Sequence, residues 1–237
     1  GASQSGFFNG VNYPSDTLAY WNFRRAPGFF DVVAYEGDDA SDRAVTHNLN
    51  VAPEMYIIKE RGETNDWWVY HKDLTDHSYY LRLNLSNAQA TSTGVFGGNA
   101  PTSTAFYVDD TGNTGATNNG SDNYIAYLFA TLPGISKVGS YTGNASGTGT
   151  QTIDCGFSNG ARFVLIKCTS AAGNWILFDT ERGITSGLDN FLLVNATDAQ
   201  TTNADLDVDP DGSGFILDGD HTSINRLGEE YIFLAIA

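Results

Sequence analysis

The sequence predicts an all-β fold built as two tandem antiparallel β-sandwich modules of jelly-roll-like type. Three observations lead there. The chain repeats itself about every hundred residues, the repeated blocks are short runs rich in β-branched and aromatic residues, and no window of helical length keeps an apolar 3.6-residue period. The repeat is clearest at the junction. Ser121-Asp122, Pro133-Gly134 and Tyr141-x-Gly143 each match Ser15-Asp16, Pro27-Gly28 and Tyr35-x-Gly37 at an offset of 106. The opening half recurs at the end, where Tyr231–Ala237 (YIFLAIA) falls on Tyr124–Ala130 (YIAYLFA).

The predicted strands of the first copy are Asp31–Tyr35, Ala44–Thr46, Met55–Lys59, Trp67–His71, Tyr79–Asn84, Ala105–Val108 and Asn123–Ala130. Clusters of Gly, Asn, Asp, Ser and Thr separate them. In the second copy MYIIKE (55–60) becomes FVLIKC (163–168), WWVYH (67–71) becomes WILFD (175–179) and LNLSNAQ (83–89) becomes VNATDAQ (194–200). The drifting offset is that of loops changing length between fixed strands. Pro133-Gly134 cannot continue a ladder, so it marks the boundary. The modules are therefore 26–132 and 133–237. Residues 1–25 read as the last strand of an earlier copy, and the chain as part of a longer array. The strand runs are apolar at successive positions, so either both sheet faces are covered or the modules pack on each other or on other chains.

With 28 acidic against 12 basic residues and a net charge of −16, the chain is a poor partner for nucleic acid, whose binding rests on neutralising phosphates. Anionic membrane surfaces are disfavoured on the same ground, and no run is long enough to span a bilayer. Both cysteines, Cys155 and Cys168, lie in the second module on neighbouring predicted strands, where the first has Asn48 and Glu60. A disulfide there would close a short loop worth roughly 2–3 kcal/mol; two free thiols are the alternative. Four Asn-x-Ser/Thr sequons are present, as expected by chance in a chain rich in these residues.

No catalytic pattern stands out. None of His47, His71, His77 and His221 has a metal-binding spacing, no serine sits in a nucleophile elbow, and no acidic pair recurs at strand ends in both modules. The sharpest local motif is Asp207-Val-Asp209-Pro-Asp211-Gly212, with Asp218 in twelfth place. Short carboxylates on alternate residues before a glycine are the core of a Ca²⁺ loop. The competing reading is an acidic hairpin turn, favoured by Pro210 and by the absence of the bidentate Glu. Trp67 and Trp175 coincide across the repeat, as core residues would. Trp68, Tyr79 and Tyr80 do not recur, facing Ile176 and Asn190-Phe191. Exposed, they would stack on sugar rings; buried, they would be ordinary strand aromatics.

The runs YIAYLFATLPGISKVGSYTGNAS and ARFVLIKCTSAAGNWILFDTERG, echoed by FFDVVAYEGDD, HNLNVAPEMYIIKERG and NDWWVYHKDL, resemble a repeated β-rich domain of bacteriophage tail-fibre and other virion proteins. The resemblance covers nearly the whole chain and includes no catalytic signature. It implies an extracellular virion component, non-enzymatic, that extends toward or recognises the host surface. Its partners would be a cell-surface glycan or protein, other virion proteins and further copies of itself, a trimer being the usual fibre state. A capsid or tail decoration without receptor contact, and a polysaccharide-binding or polysaccharide-degrading module, are the alternatives.

Overall fold

The computed structural model describes residues 21–111, 116–146 and 149–237. Among these, sixteen strands and one four-residue helix form. The first half holds β1 (Phe30–Glu36), β2 (Arg43–Thr46), β3 (Met55–Glu60), β4 (Trp67–His71), β5 (Tyr79–Arg82), β6 (Ala90–Thr91), α1 (Thr93–Phe96), β7 (Ala105–Val108) and β8 (Asn123–Phe129). The second holds β9 (Ser136–Thr142), β10 (Thr150–Asp154), β11 (Phe163–Cys168), β12 (Ile176–Asp179), β13 (Leu192–Leu193), β14 (Asp207–Asp211), β15 (Gly214–Asp218) and β16 (Glu230–Ile236). Every strand anticipated in the first half is present, with ends moved by one or two residues. The helix α1 and the short strand β6 were not anticipated: four and two residues are too few to set a period. β14 stands where the sequence suggests a Ca²⁺ loop or a hairpin turn. No strand forms over 21–25, and the remainder of the anticipated N-terminal strand lies outside the described residues.

All strand pairs are antiparallel. The six-stranded sheet runs β1-β8-β3-β4-β5-β6 and the five-stranded sheet β13-β12-β11-β16-β9. Strands matched by the sequence repeat take matching places, since β9, β16, β11, β12 and β13 answer to β1, β8, β3, β4 and β5. The smaller sheets, β2-β7 and β10-β15-β14, correspond in the same way except that β14 is a third member. The ladders also set the repeat register. Val45 faces Phe106 and Ile153 faces Phe215, so Cys155 falls on His47, one residue from the Asn48 that sequence alone suggested.

The strands of the large sheets are apolar at successive positions because both of their faces are covered. Side chains alternate between the faces of a strand. One face of the six-stranded sheet (Met55, Ile57, Val69, Leu81) shares a core with the equivalent face of the five-stranded sheet (Phe163, Leu165, Trp175, Leu177). The opposite face of the first (Tyr56, Ile58, Ala126, Leu128) packs on Val45, Phe106 and Val108 of the small sheet β2-β7. The opposite face of the second (Val164, Ile166, Phe178, Ala235) packs on Ile153, Phe215 and Leu217. The order of layers is small sheet, large sheet, large sheet, small sheet. Both faces of the large sheets are thus covered within one chain, and the apolar pattern requires no further copy. Trp21 and Phe23 close one end, Phe23 lying 5.5 Å from Phe129 and 5.8 Å from Phe163.

The Tyr-x-Gly repeat has a structural reason. Tyr35 stacks on Tyr124 at 5.2 Å, as Tyr141 stacks on Tyr231 at 5.0 Å. Their hydroxyls donate to the carbonyls of Thr117 and Ile224. The glycines that follow pass under another chain: a Cβ on Gly37 would lie 1.9 Å from Asn119 O, and on Gly143 2.2 Å from Arg226 O. Only glycine fits there.

Two buried polar groups sit at the junction of the large sheets. Lys167, fully buried, donates to three carbonyls: Ser86 O at 3.3 Å from the first half, Cys168 O at 2.8 Å and Gly173 O at 2.9 Å. Burial brings its pKa down to about 8, so it remains largely an ammonium at neutral pH, with three donors for three acceptors. Its counterpart Lys59, half-buried, reaches only Glu60 O and Glu63 O. His71 is buried against the Phe233 backbone. Its Nδ1 accepts from Asp73 N at 3.1 Å. Burial, assisted by the neighbouring Lys72, lowers its pKa to about 3. Both free thiols are also buried.

Lys167→Met leaves three carbonyls without their donor and is expected to cost about 2–4 kcal/mol, against under about 1 kcal/mol for Lys59→Met. Equal losses in urea melts would contradict the junction role. His71 binds fewer protons folded than unfolded between its pKa of about 3 and the ordinary value of 6.5. Stability is therefore full above the upper value and lost as pH falls toward the lower. His71→Gln should lose at least about 1 kcal/mol less than the parent between pH of about 7 and about 4.5. Parallel curves would show that the imidazole is not the titrating group.

Candidate functional site

The strand period decides which of the three sequence candidates meet. Trp68 on β4 and Tyr80 on β5 point to the outer face of the six-stranded sheet, with ring centroids 5.0 Å apart at 72°. Tyr79 points the other way, packed against the core shared by the two large sheets. The third member of the outer-face cluster is Arg82, opposite Trp68 in the ladder and two residues beyond Tyr80. Its guanidinium lies 5.6 Å from the Trp68 ring and 5.8 Å from the Tyr80 ring. Asp66 fixes it at 3.0 Å, and Asn84 donates to the other Asp66 oxygen at 2.8 Å. All three cluster side chains are half-buried. They form a platform of two aromatic rings and a planar cation, a surface suited to stacking on a flat apolar partner face.

The same face carries two buried polar atoms without partners, Trp68 Nε1 and Glu60 Oε1. Glu60 is buried beside Tyr124, opposite it in the ladder, and its other oxygen accepts from Asn65 Nδ2. One atom is a donor and the other an acceptor, on neighbouring strands of one face. In the second half the equivalent positions are Ile176 for Trp68, Phe191 for Tyr80, Leu193 for Arg82 and Cys168 for Glu60. Ile176 and Phe191 are buried in the core beneath β14. The platform belongs to the first half alone. Arg82, Asp66 and Glu60 were not identified from sequence. Tyr80-x-Arg82 was the available signal, since alternate residues share a face.

The four acidic candidates lie on a hairpin. Asp207, Asp209 and Asp211 are alternate residues of β14, and Asp218 of β15 faces Asp207 in the ladder. Along an extended strand alternate side chains are spaced by about 6.6 Å, where a Ca²⁺ loop curls them onto one point. The three carboxylates of β14 instead accept backbone N–H groups. Asp207 takes Asp189 N at 2.9 Å, Asp209 takes Gly187 N at 3.2 Å, and Asp211 takes Ser213 N at 2.8 Å in the turn. Burial raises the pKa of Asp207. Among the described residues no three His, Cys, Asp or Glu side chains gather closely enough to share a metal ion. From this geometry, Ca²⁺ is expected to leave the melting temperature unchanged. A rise that disappears in Asp209→Ala would establish a cation site on the hairpin.

Two clefts flank Lys72. One, of about 380 Å³, lies between β9 and β10 and is lined by Asp73, Lys137, Asp154 and Phe233. The other, of about 500 Å³, opens over Tyr70 and His77. Tyr70 Oη lies 2.9 Å from His77 Nδ1, and burial raises the phenol pKa well above its usual value. Lys72 pairs with Glu54 at 2.9 Å, whose second oxygen accepts from both N and Oγ1 of Thr131. Burial alone would raise the Glu54 pKa, but Thr131 and Lys72 outweigh it and hold the carboxyl below its usual range.

No helix among the described residues is long and apolar enough to cross a membrane. No curated protein matches the chain. One family profile matches residues 24–237, both halves together, and the chain belongs to that family, a domain of unknown function (DUF7483).

Proposed function

We propose that this chain is a non-enzymatic binding module of a bacteriophage virion, exposed outside the cell, whose Trp68–Tyr80–Arg82 platform contacts a host-surface glycan. The virion setting rests on the resemblance of the repeated strand-and-turn text to tail-fibre domains. The binding role rests on one observation, the platform itself. Its rings lie 5.0 Å apart with a guanidinium within reach of both, half-open on a face whose equivalent in the second half is buried. Sugar rings present flat patches of C–H that stack on aromatic faces, and hydroxyls that pair with guanidinium and carboxylate groups. Each half is read as one sandwich of a large and a small sheet, and the pair as the unit that a fibre would carry. Further copies and other virion proteins are the expected partners.

The test is retention on host-surface polysaccharide, and competition for phage adsorption, with the parent and with two variants. Trp68→Ile and Tyr80→Ser remove the platform, the first by introducing the residue of the second half. Each is expected to weaken retention at least about tenfold, a loss of about 1.4 kcal/mol, with the melting transition retained. Unchanged retention in both would overturn the platform. Absence of binding by the parent on any host polysaccharide would favour a spacer or decoration role.

A further inference from the structure

The two halves differ sharply just before their matching strands β7 and β15. Pro101 and Phe106 answer to Pro210 and Phe215 at one offset, and both segments turn alike. Thr102 Oγ1 accepts from Thr104 N at 3.3 Å, as Asp211 Oδ1 accepts from Ser213 N at 2.8 Å. Ahead of that turn the second half runs as β14, whose Val208, with Leu206 before it, lies buried in one core with Phe178. The first half has no strand there: residues 98–100 are exposed and unpaired in any ladder. Tyr70, at the place of Phe178, is covered by Phe96 of α1 at 5.9 Å and lines the 500 Å³ cleft.

The cleft has a definite chemistry. Its apolar lining comes from two segments, Val51 to Pro53 and Ala100 with Pro101. Its polar end presents the Lys72 ammonium, which gives one N–H to Glu54 and has two more, and the Tyr70–His77 pair. Glu54 is anchored through its second oxygen by Thr131, so its first stays in place as an acceptor. A methyl group, a carbonyl oxygen and an N–H, held together in one planar unit, would find an apolar wall, a cationic donor and a carboxylate acceptor. That unit is an N-acetyl group.

We propose that this cleft is a second subsite of the first half that takes the acetamido group of a 2-acetamido sugar, with the methyl on the Pro53 and Pro101 lining and the carbonyl on Lys72. The proposal rests on the glycan-binding reading and adds a chemically distinct recognition element to it. The volume suits one monosaccharide and lies within the ordinary range of ligand pockets, roughly 300–1,000 Å³.

NMR titration of the full chain with N-acetylglucosamine, glucosamine and glucose tests it. N-acetylglucosamine is expected to shift the His77 ring and the Ala100 and Ala130 methyl signals and to saturate. The two sugars lacking the acetyl group should bind at least about tenfold more weakly. Ala100→Trp fills the cleft from an exposed position and should abolish the response while the melting temperature stays that of the parent. Lys72→Met should weaken it about tenfold or more. Equal responses to all three sugars, or none at any of the three reporters, overturn the proposal. A response that survives Ala100→Trp but vanishes in Tyr80→Ser puts the sugar on the platform. That outcome sinks the cleft and leaves the glycan-binding reading standing.

Discussion

The rest of the structure depends on the burial of one large sheet against the other. Phe163, Leu165, Trp175 and Leu177 occupy in the second half the positions that Met55, Ile57, Trp67 and Val69 occupy in the first, and the two sets meet. Because equivalent faces are joined, the contact is of the closed, self-complementary kind. A third copy would find that face already occupied. Each fully buried side chain of this size contributes about 1.5–3 kcal/mol, so the joint core is a large share of what holds either half. Lys167, reaching Ser86 across the junction, and Trp175, donating to Arg82 O at 2.9 Å, fix the two sheets relative to each other by polar contacts.

A closed stack still leaves strand edges, and both long ones are blunted by side chains. On β1, Val32 N donates to Asp31 at 2.9 Å, Val32 O accepts from Arg25, and Glu36 O accepts from Arg43. On β9, Val138 N donates to Thr131 Oγ1 at 3.1 Å and Thr142 O accepts from Gln151 at 3.1 Å. The protected positions are the same in both halves though the protecting residues differ. Such edges resist pairing with further strands. With both faces of the large sheets covered and both long edges blunted, what the described residues leave open is the outer layers and loops.

Those outer layers are where the halves diverge. In the second half β14 and the segment before it cover Ile176, Phe178 and Phe191, which are accordingly apolar. In the first half the cover is thinner, and the same places hold Trp68, Tyr70 and Tyr80, each with a polar handle, beside Arg82, Glu60 and His77. Polar and amphipathic residues replace apolar ones where the covering strand is lost, because a hydroxyl, indole N–H or guanidinium is tolerated only with a partner or with water within reach. The two orphaned atoms, Trp68 Nε1 and Glu60 Oε1, belong to this region.

The sequence by itself determined the strands, their antiparallel all-β class and the correspondence between the halves, because two-residue alternation, β-branched content and Gly/Pro turns are local properties. It also marked Trp68, Tyr79 and Tyr80, through their failure to recur. What faced what was decided only in three dimensions. Tyr79 and Tyr80 are neighbours in the chain, yet a strand sends them to opposite faces. The alternating aspartates of 207–211 read as a Ca²⁺ loop or as a hairpin turn, and pairing with β15 makes of them a strand that spreads the side chains. Arg82, Asp66 and Glu60 reach the platform, and Lys72 and Ala100 the cleft, through ladder register and loop course. Both are set by the packing of four sheets, a long-range balance of burial that no local pattern encodes.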